Sequence, residues 1–228
     1  MWPLLLLASA LVDLPPERPP VPFVPTPALA AAQALSWIGL GPGDAFIDLG
    51  CGDGRVAAEA LKLGANVTCV ELRSDIAQQA ELTLRAVARG SASYRVLQQD
   101  LFTVDLSEFT AVFFYLLPDA INGLTQRLAQ SLRDGARVLS REFEILGWPC
   151  GDRLRSHDSL FLKWEAPIAV SVEAATRGRD ASAEASSASV SAEEHLLDCA
   201  AEEAVEEDEP AGGRGRIGRM YSSRARRG

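Results

Sequence analysis

The segment Asp48-Leu49-Gly50-Cys51-Gly52-Asp53-Gly54-Arg55 carries the clearest chemical information in the chain. Glycines at alternate positions let a backbone turn tightly and approach a ligand without Cβ clashes. A dinucleotide loop would instead read G-x-G-x-x-G, with the pyrophosphate on the N-terminus of the helix that follows. Here the spacing is G-x-G-x-G, and the acids Asp48 and Asp53 would repel a pyrophosphate. Carboxylates suit a ligand that bears an ammonium and a sulfonium, which points to S-adenosylmethionine. A plain tight turn between a strand and a helix is the simpler alternative.

Two more acids fall at predicted strand ends. Glu71 can accept hydrogen bonds from both hydroxyls of an adenosine ribose, as an acid so placed also does in NAD proteins. Only the loop spacing separates the two cofactors. Asp100 could accept from the adenine amine, or be an ordinary solvated turn acid. Methyl transfer from a sulfonium is an in-line displacement, so the acceptor needs alignment and a free lone pair. A lysine amine, with a pKa near ~10.4, must first lose a proton. No histidine sits at a strand end. Tyr115 is the best-placed polar group to orient an amine, and Glu142 or Glu144 could take its proton directly or through water. Tyr115 as a mere wall, and the glutamates as solvated surface, are the alternatives. Aromatic residues Phe23, Phe113, Phe114, Tyr115, Phe143 and Trp148 cluster near the same strand ends in the sequence. Cation–π attraction of ~0.5–2 kcal/mol would suit a methylated ammonium. Phe113 and Phe114 lie in an apolar strand and are expected in the core, which leaves Tyr115 and Trp148.

Alternating elements must position these residues. Thr26 can N-cap a helix that has Pro27 in its first turn and runs to Ile38, where Gly39 and Gly41-Pro42-Gly43 stop it. A strand over 45–49 is followed by a helix over 55–63 and a strand over 66–72. Ser74 can cap a helix over 74–88 with Ile76, Ala80, Leu84 and Val87 on its inner face. Strands follow at 94–98 and 111–117, the second apolar throughout, as expected of one buried on both faces. Pro118-Asp119 opens a helix with Ile121, Leu124, Leu128 and Leu132 inside. Strands over 136–143 and 160–164 complete the series. Strand–helix alternation gives right-handed crossovers, hence an α/β, doubly wound, mainly parallel Rossmann-like sheet with helices on both faces. Ligands bind such sheets at the carboxyl ends of the strands.

Composition bounds the rest. The chain has 228 residues, 47% hydrophobic and 23% charged, with a formal net charge of −9. That apolar fraction excludes disorder for the chain as a whole. No apolar run approaches the roughly 20 residues of a membrane-spanning helix. Cys51, Cys69, Cys150 and Cys199 lie far apart with no Cys-x-x-Cys pair, so neither a metal site nor a disulfide framework is expected. Cys51 reads as a small residue that fits its loop. Residues 1–19 form a hydrophobic, then proline-rich, N-terminal segment without the basic n-region of a secretory signal. Residues 20–167 form the enzymatic domain. Residues 168–228 read as a disordered tail, acidic from Glu193 to Glu209 and arginine-rich from Arg214 to Arg227. The acidic core has no basic stripe for phosphates, so it is not expected to bind nucleic acid. The arginine-rich end could contact RNA or an acidic membrane surface, or fold back on the acidic run.

Asp48-x-Gly-x-Gly-x-Gly followed by a strand-end Glu71 resembles the class I S-adenosylmethionine-dependent methyltransferases. Pro22-Phe23-Val24-Pro25-Thr26-Pro27, DLGCGDGR, Asp100-Leu101-Phe102, Tyr115-Leu116-Leu117-Pro118 and VLSREFEILGW together resemble one smaller group. It holds the lysine methyltransferases of the ATP synthase c-ring protein and the adenine nucleotide translocase, with bacterial relatives. The resemblance spans about residues 20–166. It implies S-adenosylmethionine held by Thr26, Asp48, Gly50, Gly52, Gly54, Glu71, Asp100 and Leu101. It further implies Tyr115 and Glu142 in catalysis, and Phe23, Pro118 and Trp148 on the substrate side. Asn-Pro-Pro-Tyr, the strand-four signature of enzymes that methylate nucleobase or glutamine nitrogens, is replaced here by Tyr115-Leu-Leu-Pro118. The implied partner is a protein bearing the acceptor lysine, met by a monomer with peripheral membrane contact. The implied address is mitochondrial or membrane-associated, with the cytoplasm as the alternative. A methyltransferase acting on a small molecule or another protein side chain, and a catalytically silent cofactor-binding interaction module, are the competing functions.

Overall fold

The computed structural model describes residues 24–170 and Cys199. Phe23, the segment 1–19 and all of the tail except 168–170 and Cys199 lie outside the described residues. In chain order the elements are α1 (Ala28–Trp37), β1 (Ala45–Leu49), α2 (Arg55–Lys62), β2 (Asn66–Glu71), α3 (Ser74–Val87), β3 (Tyr94–Gln98), a 3-10 turn (Leu101–Thr103), β4 (Ala111–Phe114), α4 (Pro118–Ser131), β5 (Arg137–Arg141), β6 (Asp152–Ser156) and β7 (Ser159–Glu165). The seven strands form a sheet of order β3-β2-β1-β4-β5-β7-β6. β1, β2 and β3 run parallel, as do β4 and β5, whereas β7 runs antiparallel to β5. The doubly wound α/β architecture is the one expected, with an antiparallel extension added.

The chain divides into two compact units. The first takes the residues up to Thr103 together with Ser156–Ser159; the second takes Val104–Arg155 and the chain from Leu160. Leu35, Phe46, Ile47, Leu49 and Leu84 are fully buried in the first, and Phe109, Phe114, Ile121, Leu124 and Phe161 in the second. Phe113 is buried as well.

Local differences from expectation have local causes. Helix α1 begins at Ala28 with Pro27 as its N-cap and no side-chain cap bond, so Thr26 is buried one residue further out. Ser74 is the first residue of α3, and Arg73 occupies the cap. The buried face of α3 is Ala77, Ala80 and Leu84, rotated away from Ile76 and Val87. Small residues on that face allow a close approach. A Cβ built on Gly54, at the N-terminus of α2, would lie 3.0 Å from the Cα of Ala80.

Gly54 has φ of +79° and Gly90 of +68°, so alanine at either is strained by a left-handed backbone, at about 1–2 kcal/mol. Nothing lies within 4 Å of a Cβ at Gly90. Gly54→Ala is therefore expected to lose about 1–3 kcal/mol more than Gly90→Ala in urea unfolding. Equal losses would show that α2 and α3 part without cost.

The cysteines depart most from the sequence reading. Cys51 is bonded to Cys69 and Cys150 to Cys199, each pair with Cα atoms 5.4 Å apart. No cysteine is free among the described residues. Sequence spacing hides the first pair because strand register creates it, and the second because it joins residues 49 apart in the chain. β1 and β2 are parallel with Asp48 opposite Cys69, and the loop after β1 turns back over β2. Cys51 is thus a cross-link, and Cys199 is a buried point of the tail segment joined to the second unit.

Candidate cofactor site and catalytic residues

In the first unit, β1 ends by delivering Asp48 into the interior at 1% exposure, and its Oδ2 has no hydrogen-bond partner. Burial pushes its carboxyl up to about 8. The backbone N–H of Ala57 opposes that shift, and the charges of Glu71 and Asp53 add to it. A buried carboxyl with an unmet oxygen awaits either a donor or a cation.

The glycine loop is anchored along β2. The amides of Gly50 and Cys51 both donate to the Val70 carbonyl, at 2.9 and 3.0 Å. Gly52 N–H donates to Glu71 Oε2 at 3.1 Å, and Arg73 N–H to Glu71 Oε1 at 2.9 Å. Each Glu71 oxygen is thereby oriented by one amide and keeps further lone-pair capacity for hydroxyl donors. Gly50, Gly52 and Gly54 all have positive φ. That conformation curves the loop and keeps it free of Cβ atoms.

Asp53 plays a different part from the one expected of it. The Arg55 side chain donates to both its oxygens, with the shortest contact at 2.6 Å. This bonding holds the Asp53 carboxyl below its ordinary range. Its charge is answered locally, so of the two loop acids Asp48 alone keeps an unpartnered oxygen.

Asp100 is exposed beyond β3, where Oδ1 caps the 3-10 turn by accepting Phe102 N–H at 2.9 Å. Leu101 opens that turn. Leu72, directly after Glu71, is 66% exposed. Leu72 is thus an exposed apolar side chain next to Glu71. In sequence it reads only as the end of a strand. The fit for S-adenosylmethionine stands on this unit: an orphaned buried carboxyl for a cationic end, a glycine cradle, and a two-oxygen acceptor for a ribose.

In the second unit, Tyr115 follows β4 directly. Its ring lies under the Arg141 guanidinium, 4.4 Å from the centroid, and stacks on Phe143 at 6.4 Å and 18°. Glu142 stands next to Arg141 at φ of +69°, a conformation that costs a residue with a Cβ. Its Oε1 forms an ion pair with Arg141, 3.3 Å from Nε, and accepts a hydrogen bond from Leu160 N–H at 3.4 Å. Glu144 is withdrawn: it is bonded to Arg153 at 3.0 Å and to the Gly151 amide. Trp148 is also inside rather than at a rim, at 2% exposure with its ring edge-on to Trp164. Pro118 is exposed at the start of α4. Arg141 gives no signal in sequence because nothing local ties it to Tyr115.

The family model described as the ANTKMT methyltransferase domain matches residues 48–151. A protein-lysine N-methyltransferase of Saccharolobus islandicus (strain REY15A) is 37% identical over 137 residues, covering 57% of this chain and 81% of that protein. The adenine nucleotide translocase lysine N-methyltransferase of Mus musculus is 33% identical over 135 residues, covering 58% of this chain and 58% of that one. The chain thus spans little more than half the length of this mammalian relative. Among solved structures, an RNA methyltransferase from Salinibacter ruber in complex with S-adenosyl-L-homocysteine has a TM-score of 0.59 at 29% identity. The match covers 63% of this chain and 94% of that one.

Proposed function

Because the chain belongs to the protein-lysine N-methyltransferase family that carries the ANTKMT methyltransferase domain, we propose that it methylates the side-chain amine of a lysine in a partner protein. It is an S-adenosylmethionine-dependent methyltransferase. The cofactor supplies a methyl group made electrophilic by its bond to a sulfonium. The observation that carries the reading is Asp48, buried with an open oxygen beside a three-glycine loop and Glu71. In this reading Asp48, Gly50, Gly52 and Gly54 hold the aminoacyl end. Glu71 holds the ribose, Asp100 and Leu101 serve the adenine, and Thr26 flanks the cofactor from the start of α1. Tyr115 orients the acceptor amine from a ring fixed by Arg141 and Phe143. Glu142, held by its ion pair with Arg141, receives the amine proton. Pro118 lies on the substrate side. Proximity and alignment can supply ~7–11 kcal/mol of barrier reduction, so no strong base is required.

The acceptor we favour is a membrane protein, mitochondrial where the host cell has mitochondria; the activity named for the mouse relative supports this. No helix among the described residues is long and apolar enough to cross a membrane; in this reading the enzyme acts as a monomer with peripheral membrane contact. The test is transfer of a labelled methyl group from S-adenosylmethionine to soluble protein, membrane protein and total RNA, with Asp48→Ala as control. Methyl-lysine in one protein, absent with the control, is expected. Label in RNA would favour the acceptor class named for the Salinibacter structure.

Tyr115→Phe keeps the ring and its stacking and removes only the hydroxyl. Transfer is expected to slow about tenfold, the worth of one hydrogen bond, with affinity for S-adenosylhomocysteine unchanged in titration. Equal loss of both would move Tyr115 into the cofactor site.

A further inference from the structure

The glycine loop is fastened to three successive residues of β2 by three kinds of bond. Cys51 is joined covalently to Cys69, the Gly50 and Cys51 amides bond to the Val70 carbonyl, and the Gly52 amide bonds to the Glu71 carboxylate. The last bond is the one a ligand must share, because the same carboxylate faces the ribose hydroxyls. The disulfide and the two amide bonds to Val70 hold the loop whatever Glu71 does, and of these the disulfide alone is covalent. It sits in the middle of the cradle, between Gly50 and Gly52, two residues whose conformational freedom must be lost when a ligand is bound.

We propose that the Cys51–Cys69 disulfide sets the affinity of this loop for S-adenosylmethionine, so that a dithiol reductant weakens cofactor binding. The proposal rests on the cofactor assignment above. Cys69 is fully buried and Cys51 is 7% exposed, so attack falls on the Cys51 sulfur. A reductant thiolate bonds to Cys51 Sγ, and Cys69 leaves as a thiolate that takes up a proton. The second thiol of the reductant then displaces Cys51, which leaves as a thiol. Two electrons and two protons pass to the protein, and the dithiol becomes a disulfide.

With the tie broken, only hydrogen bonds to Val70 and Glu71 hold the loop, and the ligand must supply the ordering that the disulfide gave. Restricting one residue's backbone is enough to change affinity about tenfold. Coupling is reciprocal: whatever factor reduction removes from cofactor affinity, the bound cofactor adds to the stability of the disulfide. For a two-electron couple a tenfold effect is about 30 mV.

The experiment titrates S-adenosylhomocysteine into oxidised wild type, dithiothreitol-reduced wild type and Cys69→Ala, with thiol alkylation and mass spectrometry reporting which bonds are open. The oxidised wild type is expected to bind about tenfold more tightly than the reduced form. Cys69→Ala, which keeps Cys150 and Cys199, should bind like the reduced form with or without reductant. The reduction midpoint of the Cys51–Cys69 pair should move about 30 mV more negative when the ligand is present. Equal affinity in oxidised and reduced wild type, or no midpoint shift, would overturn the proposal. So would a reductant response in Cys69→Ala as large as wild type's, because it would belong to Cys150–Cys199. If Cys69→Ala does not fold, the wild-type midpoint measurement decides alone. Absence of binding by every form would overturn the cofactor reading together with this one, a result distinct from equal binding.

Discussion

Glu71→Ala is expected to bind S-adenosylhomocysteine about a hundredfold more weakly than wild type. Hydrogen bonds to a charged acceptor are worth ~1.5–3 kcal/mol each, and two of them, one per ribose hydroxyl, give ~3 kcal/mol at the low end. The Gly52 amide also loses its acceptor at this position, so the loop is loosened as well. Asp100→Ala should cost far less, because Asp100 is exposed and already commits one oxygen to the Phe102 amide. Calorimetric titration reads the affinities, and a thermal melt shows that both variants fold. Unchanged affinity in Glu71→Ala would place the ribose elsewhere.

Asp48 should make cofactor affinity depend on pH. Its carboxyl is pushed up to about 8 by burial, against an ordinary value of 3.8. The free enzyme therefore carries it protonated at neutral pH, and a ligand bearing an ammonium and a sulfonium favours the ionised form. Affinity should rise with pH, by up to about tenfold per unit, and level off above pH 8, with a proton released on binding. Stability of the ligand-free protein should move the opposite way. A raised carboxyl pKa contributes stability that is complete below about pH 4 and is lost as pH climbs to 8, at ~1.4 kcal/mol per unit. Asp48→Asn should flatten both trends, leaving only the titration of the ligand's own amine. The proton count comes from calorimetry in buffers of different ionisation enthalpy, and a slope that survives in Asp48→Asn would remove Asp48 from the linkage.

Local signals serve well where the local pattern decides the structure. β1 and β3 have the bounds expected of them, because apolar runs between turn residues admit few other readings. The D-x-G-x-G-x-G loop also lies where strand and helix signals place it. The side-chain partners are less legible. Asp53 reads in sequence as a ligand for a cation, yet Arg55, two residues on, takes its charge. β6 leaves no mark because Asp152-Arg-Leu-Arg-Ser156 has no apolar stripe and lies at the end of the sheet order. Trp148 reads as a rim aromatic because its loop carries no burial pattern, and its packing against Trp164 is a tertiary fact. The Cys51–Cys69 bond depends on register between strands, and the Tyr115–Arg141 stack on the end of β5. Neither has a periodic trace in sequence.

The bond between Cys150 and Cys199 also acts as a leash. Measured along the chain from Val170, the arginine run that starts at Arg214 could stand at most about 150 Å away, at ~3.5 Å per extended residue. Tied at Cys199, the same arginine can lie no farther than about 50 Å from Cys150. A threefold shorter radius confines those cations to roughly a thirtieth of the volume.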